Sequence, residues 1–420
     1  MQRVTLEKSQ PSITLSAGRT LYESMVLKAL SGMTEGCLNL TLPTGEEVTI
    51  GSPDATIKAS MRIRHADFFR KCVLFGDVGF GEAYVDGDWD TDDIKQIISW
   101  MILNVDRHPA MSGSKKRFSS VNWLRVFNRL SHLLRPNTYD GSRDNIQAHY
   151  DLSNEFFEII LGPTMAYSSG CFEQPGDTLE SAQENKFEKL CEKLRLQPSD
   201  HLLEIGSGWG GFAIHAARNY GCKVTTITIS QAQYDYARAR IQEAGLTDRI
   251  EIRLQDYRKL TGRYDKIVSI EMLEAVGHEF LPAYFQRCHD LLASDGVLAL
   301  QVITCPDSRY NNLRKGIDWI QKYIFPGSLL PSVAAINGAV NRTGDMVLHD
   351  LEDLSRHYAL TLSAWREHLN DRWPHIRDLG FDDVFRRKWN YYLSYCEAAF
   401  SMRNISVLQM VYTRPNNPKL

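Results

Sequence analysis

Three glycines at alternate positions follow an acidic residue in the segment LEIGSGWGGF, residues 203–212. Gly206, Gly208 and Gly210 let the backbone turn tightly and approach a ligand with no side chain in the way. A helix expected from about Phe212 would present its free N–H groups to that ligand. The pattern predicts a nucleotide-type cofactor site with Glu204 in its loop, although its spacing differs from the Gly-x-Gly-x-x-Gly of dinucleotide enzymes. A glycine-rich turn in an unrelated α/β domain is the alternative.

Polar side chains also stand where the next two strands should end. The second strand offers hydroxyl and amide groups, and no acid, for ribose hydroxyls: Thr228, Ser230 and Gln233. The third offers a carboxylate for an exocyclic adenine amine, with neighbours that could lie against the ring: Asp256, Gln255 and Tyr257. Each residue taken singly is more often a strand-end cap. Their coincidence at the expected strand ends favours a cofactor site.

Alternating strands and helices must position these groups. Strands are expected near residues 201–206, 222–229, 249–254, 264–270 and 295–303, and two more near 346–354 and 405–413. This alternation predicts an α/β fold with a doubly wound, Rossmann-like parallel sheet of about seven strands. An aromatic and proline-rich insert near 305–345 should lie at the carboxyl ends of the strands, where a substrate pocket would form.

Composition excludes several classes of protein. The chain has 420 residues, of which 43% are apolar and 24% charged, so it can bury a large core. It has no apolar run long enough for a transmembrane helix and no secretory signal, and its net charge of −3 excludes a globally basic nucleic-acid binder. Its eight cysteines form no CxxC pair, which predicts reduced thiols in a cytoplasmic protein and no zinc or other metal site.

Residues 1–107 are predicted to form a smaller α+β domain with a possible lipid or membrane role. Segments 38–43 and 47–50 alternate around a Thr-Gly-Glu turn, which indicates a hairpin, and segments 55–59 and 61–64 continue the strand pattern. A helix is expected over about 66–75. The glycine- and aromatic-rich stretch 76–89 contains no pairing of a nucleophile with a base, so we interpret it as a packed structural turn.

A basic stretch at 108–144 should link this domain to the rest of the chain. Over residues 108–139 it carries six lysines and arginines and no acidic residue, and Trp123 lies on the apolar face of a helical pattern that also contains Arg125 and Arg129. Such a helix can lie on an anionic membrane surface. A buried helix between domains is an equal alternative.

The third region, 145–420, contains the glycine loop. Ser153 is the expected N-cap of a helix, residues 165–172 form an irregular loop, and a helix of mixed charge is expected over 179–194.

Seven motifs in this order resemble those of the cyclopropane fatty acid synthases. They are HYDLSN (149–154), MAYSS (165–169), LEIGSGWGG (203–211), TISQAQ (228–233), IEMLEAVG (270–277), YIFPG (323–327) and YYLSYC (391–396). The resemblance extends from about residue 70 to the C-terminus. It implies a class I methyltransferase fold and an S-adenosylmethionine-dependent enzyme acting on unsaturated acyl chains of membrane phospholipids.

The resemblance also implies roles for individual residues. Tyr167 and Ser168 would contact S-adenosylmethionine together with the glycine loop and the strand-end groups named above. A bicarbonate ion would lie beside the reacting methyl group. Its ligands would be two side chains and two main-chain groups, those of Glu274, Tyr358, Ser169 and Ile303.

Two positions depart from the pattern best known in bacteria. Ser169 stands where a cysteine is common, which matters little for a main-chain contact. Gln301 stands where a histidine is common, and glutamine can donate to an anion but cannot become cationic. Other members of the family have glutamine here, so we expect activity to be retained.

The implied reaction needs no activated nucleophile, because the alkene attacks the sulfonium methyl group itself. It needs an apolar channel, tolerance of a carbocation and a base. Aromatic rings could face the cation, among them Tyr310, Phe325, Tyr358 and Tyr392. A bicarbonate held by Glu274 and Tyr358 could be the base. Cys396 lies in a motif flagged for an active cysteine, but this mechanism has no use for a thiolate, so it is the weaker candidate.

The expected activity is therefore methylene transfer from S-adenosylmethionine to the cis double bond of phospholipid acyl chains, which forms cyclopropane chains. The alternatives are a C-methyltransferase that gives methyl-branched or methylene chains, and a catalytically silent lipid-binding relative. The protein is expected at the inner face of the membrane as a peripheral protein, and a homodimer is among its predicted states.

Overall fold

The computed structural model describes residues 20–105 and 153–418, which fall into two compact units, one in each range. The basic stretch 108–144 and the first four residues of the HYDLSN motif lie outside the described residues. The domain boundaries and the amphipathic helix therefore stay predictions.

The N-terminal unit contains a four-stranded sheet. Its elements are α1 (Leu21–Ser31), β1 (Cys37–Thr41), β2 (Glu47–Gly51), β3 (Lys58–Ile63), α2 (Asp67–Val85), β4 (Trp89–Asp90) and α3 (Ile94–Val105). The strand order is β2-β1-β3-β4, with β1 antiparallel to β2 and parallel to β3. The α+β class and the predicted hairpin are confirmed.

Two predictions for this unit were wrong in detail. The segments 55–59 and 61–64 contribute to one strand, β3. Gly76, at φ 60° and ψ −130°, has a non-helical backbone that divides α2 into two helices, so the helix predicted over about 66–75 ends where expected, but the following stretch forms a second helix as far as Val85 and not a turn. Beyond the kink, a Cβ on Gly79 would lie 2.1 Å from the carbonyl oxygen of Lys71, so only glycine allows this close packing. Trp89 Nε1 then donates to Phe80 O at 3.0 Å, which fits the structural role predicted for the stretch.

The second unit begins with two helices and the loop between them. Helix α4 (Asn154–Leu161) has Ser153 as its N-cap, since the Ser153 side chain accepts from the N–H of Phe156. Helix α5 (Leu179–Leu194) begins at its own cap, Thr178, and residues 165–172 between the helices have no regular structure. These predictions are confirmed.

A seven-stranded sheet forms the body of this unit. Its strands are β5 (His201–Ile205), β6 (Lys223–Thr228), β7 (Ile250–Leu254), β8 (Tyr264–Ile270), β9 (Leu292–Thr304), β10 (Val347–Asp353) and β11 (Ser406–Thr413). Helices α6 (Gly211–Tyr220), α7 (Gln231–Glu243) and α8 (Leu281–Leu291) connect the first five. Three 3₁₀ helices span Tyr257–Lys259, Leu273–Ala275 and His278–Phe280.

The sheet order is β10-β11-β9-β8-β5-β6-β7, in which β5 to β9 are mutually parallel and β11 is antiparallel to both neighbours. Alternate strand residues supply two core clusters: Leu203, Leu298 and Leu300 belong to one, and Leu202 and Ala299 to the other. Both faces are thus buried, as the doubly wound fold predicts.

The insert after β9 is mainly helical. It contains α9 (Asp307–Leu313), α10 (Trp319–Tyr323) and α11 (Val333–Thr343). Between β10 and β11 the chain forms α12 (Ser355–Asp371), α13 (Trp373–Asp378) and α14 (Asp383–Ser401). Within residues 20–105 and 153–418, no helix combines the length and apolarity needed to cross a membrane.

Candidate active site

The glycine loop has the backbone that its sequence predicts. After β5, Gly206, Gly208 and Gly210 adopt φ values of 98°, 48° and 86°, and α6 begins at the next residue. A Cβ on Gly206 would lie 3.3 Å from Met272 Cγ, and one on Gly210 would lie 3.1 Å from Ala237 Cβ. The loop therefore forms a cradle that side chains would fill, with helix N–H groups at its edge, and it fits a nucleotide-type cofactor.

The groups at the end of β6 lie together as predicted. Thr228 Oγ1 donates to Gln233 Oε1 at 2.9 Å, and Ser230 caps α7 by accepting from the N–H of Gln233 at 3.3 Å. Glu204 is also buried, and its carboxylate accepts from Thr226 Oγ1 at 2.6 Å. Burial raises the pKa of Glu204 to about 8, against the opposing effects of that hydrogen bond and of Lys186.

The residues that follow β7 have partners of their own. Asp256 caps the next 3₁₀ helix, and both its oxygens contact the Arg258 guanidinium, at 2.9 and 2.6 Å. Gln255 donates to Lys259 O at 3.0 Å, and Tyr257 packs edge-on against Tyr284. These contacts match the alternative of strand-end caps, and adenine binding by these three residues stays a prediction.

The loop 165–172 is held against the sheet by two helices. Gly170 N–H donates to Thr361 Oγ1 of α12 at 3.0 Å, and Gln183 of α5 donates to Ser168 O at 2.8 Å. Lys186, fully buried on α5, donates to Ser168 Oγ at 2.6 Å. Burial lowers the pKa of Lys186 to about 8, although Glu271 and Glu204 act against this. The loop thereby presents Ser168 and Ser169 at fixed positions.

Glu271 is the centre of the site, and sequence reasoning did not single it out. It follows β8 directly, at the carboxyl edge of the sheet. Its Oε1 accepts from Ser169 N–H at 2.8 Å and from Gln301 Nε2 at 2.8 Å. Its Oε2 accepts from Tyr358 Oη at 2.8 Å. A loop, a strand and a helix thus converge on one half-buried carboxylate.

The backbone at Glu271 is strained. Its φ of 48° lies in the left-handed region, which costs a residue with a side chain about 1–2 kcal/mol. The N–H of Glu271 donates to Gln301 O at 2.7 Å, which helps to hold this conformation. Strained residues of this kind cluster at functional sites. An acid directly after a strand, inside the IEMLEAVG motif, was the signal in the sequence that could have found it.

Glu274 lies three residues after Glu271, and its carboxyl group has different hydrogen-bond partners. Its Oε1 accepts from Ile303 N–H at 2.5 Å, whereas its buried Oε2 has no hydrogen-bond partner among the described residues. Burial, and then the Glu271 charge, raise its pKa to about 8. Burial also raises the pKa of Glu271, but Gln301, Ser169 N–H and other neighbours oppose that effect. Glu274 therefore holds its proton near neutral pH, whereas the donors around Glu271 favour the ionised form of that carboxyl.

The groups expected to bind bicarbonate are engaged by protein carboxylates. Ser169 N–H and Tyr358 Oη donate to Glu271, and Ile303 N–H donates to Glu274. The remaining expected ligand is Glu274 itself. An added anion would compete for these donors and face the Glu271 charge, so the residues present do not fit a bicarbonate ion.

A cluster of aromatic side chains reaches this centre through Tyr358. Tyr167 Oη lies 3.1 Å from Tyr392 Oη, and the Tyr167 ring packs against Phe325 and Trp365, with centroids 6.1 and 5.3 Å away. Tyr358 also packs edge-on against Trp365. The structure thus connects the expected residues Phe325, Tyr358 and Tyr392 in one cluster. Tyr310 instead hydrogen-bonds His278 at 2.7 Å, outside this set of ring contacts.

Cys396 lies on α14 near Tyr358 and Tyr392. Burial raises the pKa of its thiol far above the ordinary value. A thiol in this state is neither a nucleophile nor a base at neutral pH.

The sheet and the glycine cradle define a class I, S-adenosylmethionine-dependent methyltransferase, and comparisons with known proteins agree. A model of the mycolic acid cyclopropane synthetase family matches residues 138–410. The chain belongs to this family.

Relatives cover most of the chain. It is 37% identical to tuberculostearic acid methyltransferase UfaA1 of Mycobacterium tuberculosis, over 91% of this chain and 89% of that protein. It is 35% identical to cyclopropane-fatty-acyl-phospholipid synthase of Escherichia coli K12, over 85% and 88%. The solved structure of the cyclopropane synthase MmaA2 from M. tuberculosis is 31% identical, with a TM-score of 0.60, over 65% of this chain and 98% of that one.

Proposed function

We propose that this enzyme transfers one carbon from S-adenosylmethionine to the cis double bond of unsaturated phospholipid acyl chains. The observation that carries this proposal is the half-buried carboxylate of Glu271, which accepts from three protein donors, one of them Tyr358 of the aromatic cluster. The names of the two relatives above, a fatty acid methyltransferase and a phospholipid cyclopropane synthase, support the substrate class.

S-Adenosylmethionine supplies an electrophilic methyl group on a sulfonium. The alkene forms the new C–C bond as the C–S bond breaks, which leaves a carbocation on the acyl chain. The rings of Tyr167, Tyr358 and Trp365 pack against one another, the last two of them buried, and π faces stabilise a passing cation. A second C–C bond closes the cyclopropane ring as a proton leaves the transferred carbon.

We propose that Glu271 accepts this proton in place of bicarbonate. Its three hydrogen bonds favour the charged form, and Lys186 supplies a buried positive charge that favours it further. Tyr358 stays a donor, because burial and the Glu271 charge raise the pKa of its hydroxyl well above the ordinary value. These contacts therefore favour the ionised base and fix its orientation before substrate binds.

A second product is supported by one observation. The relative at 37% identity is named as a tuberculostearic acid methyltransferase, not as a cyclopropane synthase. If a hydride first shifts from the methylated carbon to the neighbouring cation, loss of the proton from the transferred carbon gives a methylene branch, whereas loss of a proton from the acyl chain gives a methyl-branched alkene. A saturated methyl branch would further require a reductant. We keep cyclopropane formation as the leading proposal and the branched product as the alternative.

Membrane docking is a separate proposal that rests on sequence alone. The basic segment with Arg125 and Arg129 lies outside the described residues, and we propose that it binds the anionic inner face of the membrane. Reversal of both charges should weaken sedimentation with anionic vesicles and leave activity toward detergent-dispersed lipid unchanged. Unchanged sedimentation would refute it. A homodimer likewise stays a prediction.

The test of the activity uses the full chain, methyl-labelled S-adenosylmethionine and phospholipid vesicles. We expect label in lipids with cis double bonds and none in vesicles of saturated phospholipid, which serve as the control. Label in neither would overturn the proposal. Proton NMR of the product separates the alternatives, because cyclopropane ring protons resonate upfield of the chain methyl groups whereas methylene protons are olefinic.

A further inference from the structure

Gln409 is a buried polar residue behind the site whose presence the core does not explain. It lies on β11, directly opposite Gln301 of β9, and both side chains are almost fully buried. Its Nε2 donates to Gln301 Oε1 at 3.0 Å, whereas its own Oε1 has no partner among the described residues. Its neighbours on the strand, Leu408 and Met410, are apolar. Gln409 satisfies Gln301 Oε1 but leaves its own Oε1 unpaired, so one buried acceptor lacks a donor whether this residue is glutamine or apolar, and hydrogen-bond stability alone does not account for a glutamine.

We propose that Gln409 is a positioning residue that fixes the amide of Gln301 so that its NH2 group faces Glu271. The inference rests on the proposed role of Glu271 as the base. A glutamine amide can present either its oxygen or its nitrogen to a neighbour. The turned amide would place Gln301 Oε1 against a carboxylate, which repels it. By donating to that oxygen, Gln409 selects the orientation in which Gln301 Nε2 donates to Glu271 at 2.8 Å.

Hydrogen bonds thus run in one direction across the sheet, from Gln409 to Gln301 and from Gln301 to Glu271. Gln301 Nε2 also lies 3.2 Å from Ser169 O, which favours the same orientation but leaves Gln301 Oε1 without a donor. Only Gln409 supplies a donor to that oxygen among the described contacts of Gln301. Its loss would leave the amide free to shift away from Glu271.

The test is a double-mutant cycle of Gln409→Leu and Gln301→Leu in the full chain. We expect Gln409→Leu to lower kcat about tenfold, because the Gln301 amide would lose its aligned hydrogen bond to the charged Glu271 carboxylate. The Kd for S-adenosylhomocysteine should not change. In the Gln301→Leu background the same change should have no further effect, because Gln409 acts through Gln301. Thr413→Val is the matched control. It removes a hydrogen bond between the same two strands, from Thr413 to Gly296 O, at the end of the strand pair away from Gln301.

A pH titration separates positioning from simple packing. The charged or titratable groups that face Glu271 are Lys186, Tyr358 and Glu274, and none of them is altered by Gln409→Leu. Since a donor to the carboxylate lowers its pKa, loss of the Gln301 donor should move the acid limb of the pH–kcat/KM profile to higher pH. The Thr413→Val profile should match that of the wild type. A Gln409→Leu enzyme with normal kcat and an unshifted profile, or additive losses in the cycle, would overturn the inference.

Infrared spectroscopy measures the protonation of Glu271 directly and does not require that the enzyme act on lipid. The carboxyl C=O band of Glu271, identified by its absence in Glu271→Gln, titrates without substrate. We expect its midpoint to lie higher in Gln409→Leu than in the wild type, and equal midpoints would contradict the inference. Failure of the proposed function would instead appear as wild-type protein that labels no lipid while this midpoint still shifts.

Discussion

Tyr358 and Glu271, which are 87 positions apart in the chain, are joined by a hydrogen bond of 2.8 Å from the phenol to the carboxylate Oε2. Tyr358 lies in α12 and Glu271 follows β8, so helix and sheet edge must both be in place for this contact. Tyr358 is buried and Glu271 is half-buried, and the raised pKa of Tyr358 keeps its hydroxyl a donor. The base is thus held by tertiary structure and not by a local motif.

Removal of that donor should slow the reaction without affecting cofactor binding. Tyr358→Phe keeps the ring contacts with Trp365 and Phe400 and deletes only the hydroxyl. Because a hydrogen bond to a charged group contributes about 1.5–3 kcal/mol, we expect kcat to fall roughly 10- to 100-fold with an unchanged Kd for S-adenosylhomocysteine. Tyr310→Phe, which loses only the contact with His278, is the control. Full activity in Tyr358→Phe would show that the hydroxyl does not act on the base.

The glycine cradle gives a prediction for the cofactor. Gly206→Ala should weaken S-adenosylhomocysteine binding, measured by calorimetry, because it adds a side chain against Met272 and strains a backbone at φ 98°. Gly245→Ala is the matched control: its φ of 67° is also positive, and no atom lies within 4 Å of the added Cβ. Equal affinities in Gly206→Ala and Gly245→Ala would argue against cofactor binding by this loop.

Cys396 should be dispensable for chemistry. Cys396 is half-buried and the raised pKa of its thiol keeps it protonated, so Cys396→Ala should retain nearly wild-type kcat with a melting temperature lowered by a small cavity. Label transfer to unsaturated vesicles and thermal unfolding measure the two effects. A folded Cys396→Ala protein without activity would restore the cysteine to the mechanism.

Glu274 should make stability depend on pH. Its pKa is raised from 4.5 to about 8, so the folded state holds an extra proton between these values. Its stabilising contribution is therefore complete below the unfolded pKa and is lost as pH rises through about 8. We expect Glu274→Gln, which stays neutral, to lose less stability than the wild type from mildly acidic to mildly alkaline pH. Thermal unfolding across that range is the measurement.

Glu204, whose pKa is also raised to about 8, contributes the same trend in both proteins and does not affect the comparison. Exposed Glu180→Gln is the control for the added amide. Parallel curves for Glu274→Gln and the wild type would contradict the assignment of a protonated Glu274.

Most of the fold could be predicted from short-range sequence patterns. The strands β5 to β9 were predictable because apolar runs between glycine turns and helix caps are encoded within a few residues, as at Ser153 and Thr178. The helical continuation beyond Gly76 was not predictable in the same way. There the tight contact of Gly79 with Lys71 O, rather than local propensity, decides the conformation.

The candidate site likewise contains residues that local motifs predict and contacts that they do not. The glycine loop, Ser169, Gln301 and Tyr358 were identified from motifs, but motifs do not show which groups meet. Glu271 became the centre only when its left-handed backbone turned its carboxylate toward Gln301 and Tyr358. The bicarbonate ion was expected only because of the resemblance to the family. That resemblance did not show that the Glu271 carboxylate accepts from two of the same donors, Ser169 N–H and Tyr358 Oη.

Label transfer from methyl-labelled S-adenosylmethionine to unsaturated phospholipid by Glu271→Gln tests the central claim most directly. We expect a loss of at least about 100-fold, because the base is removed while the amide keeps the shape of the side chain, with an unchanged Kd for S-adenosylhomocysteine. The wild-type rate should be the same in carbonate-free buffer and after addition of bicarbonate. A Glu271→Gln enzyme close to wild-type activity, or a wild-type enzyme that needs added bicarbonate, would contradict the account.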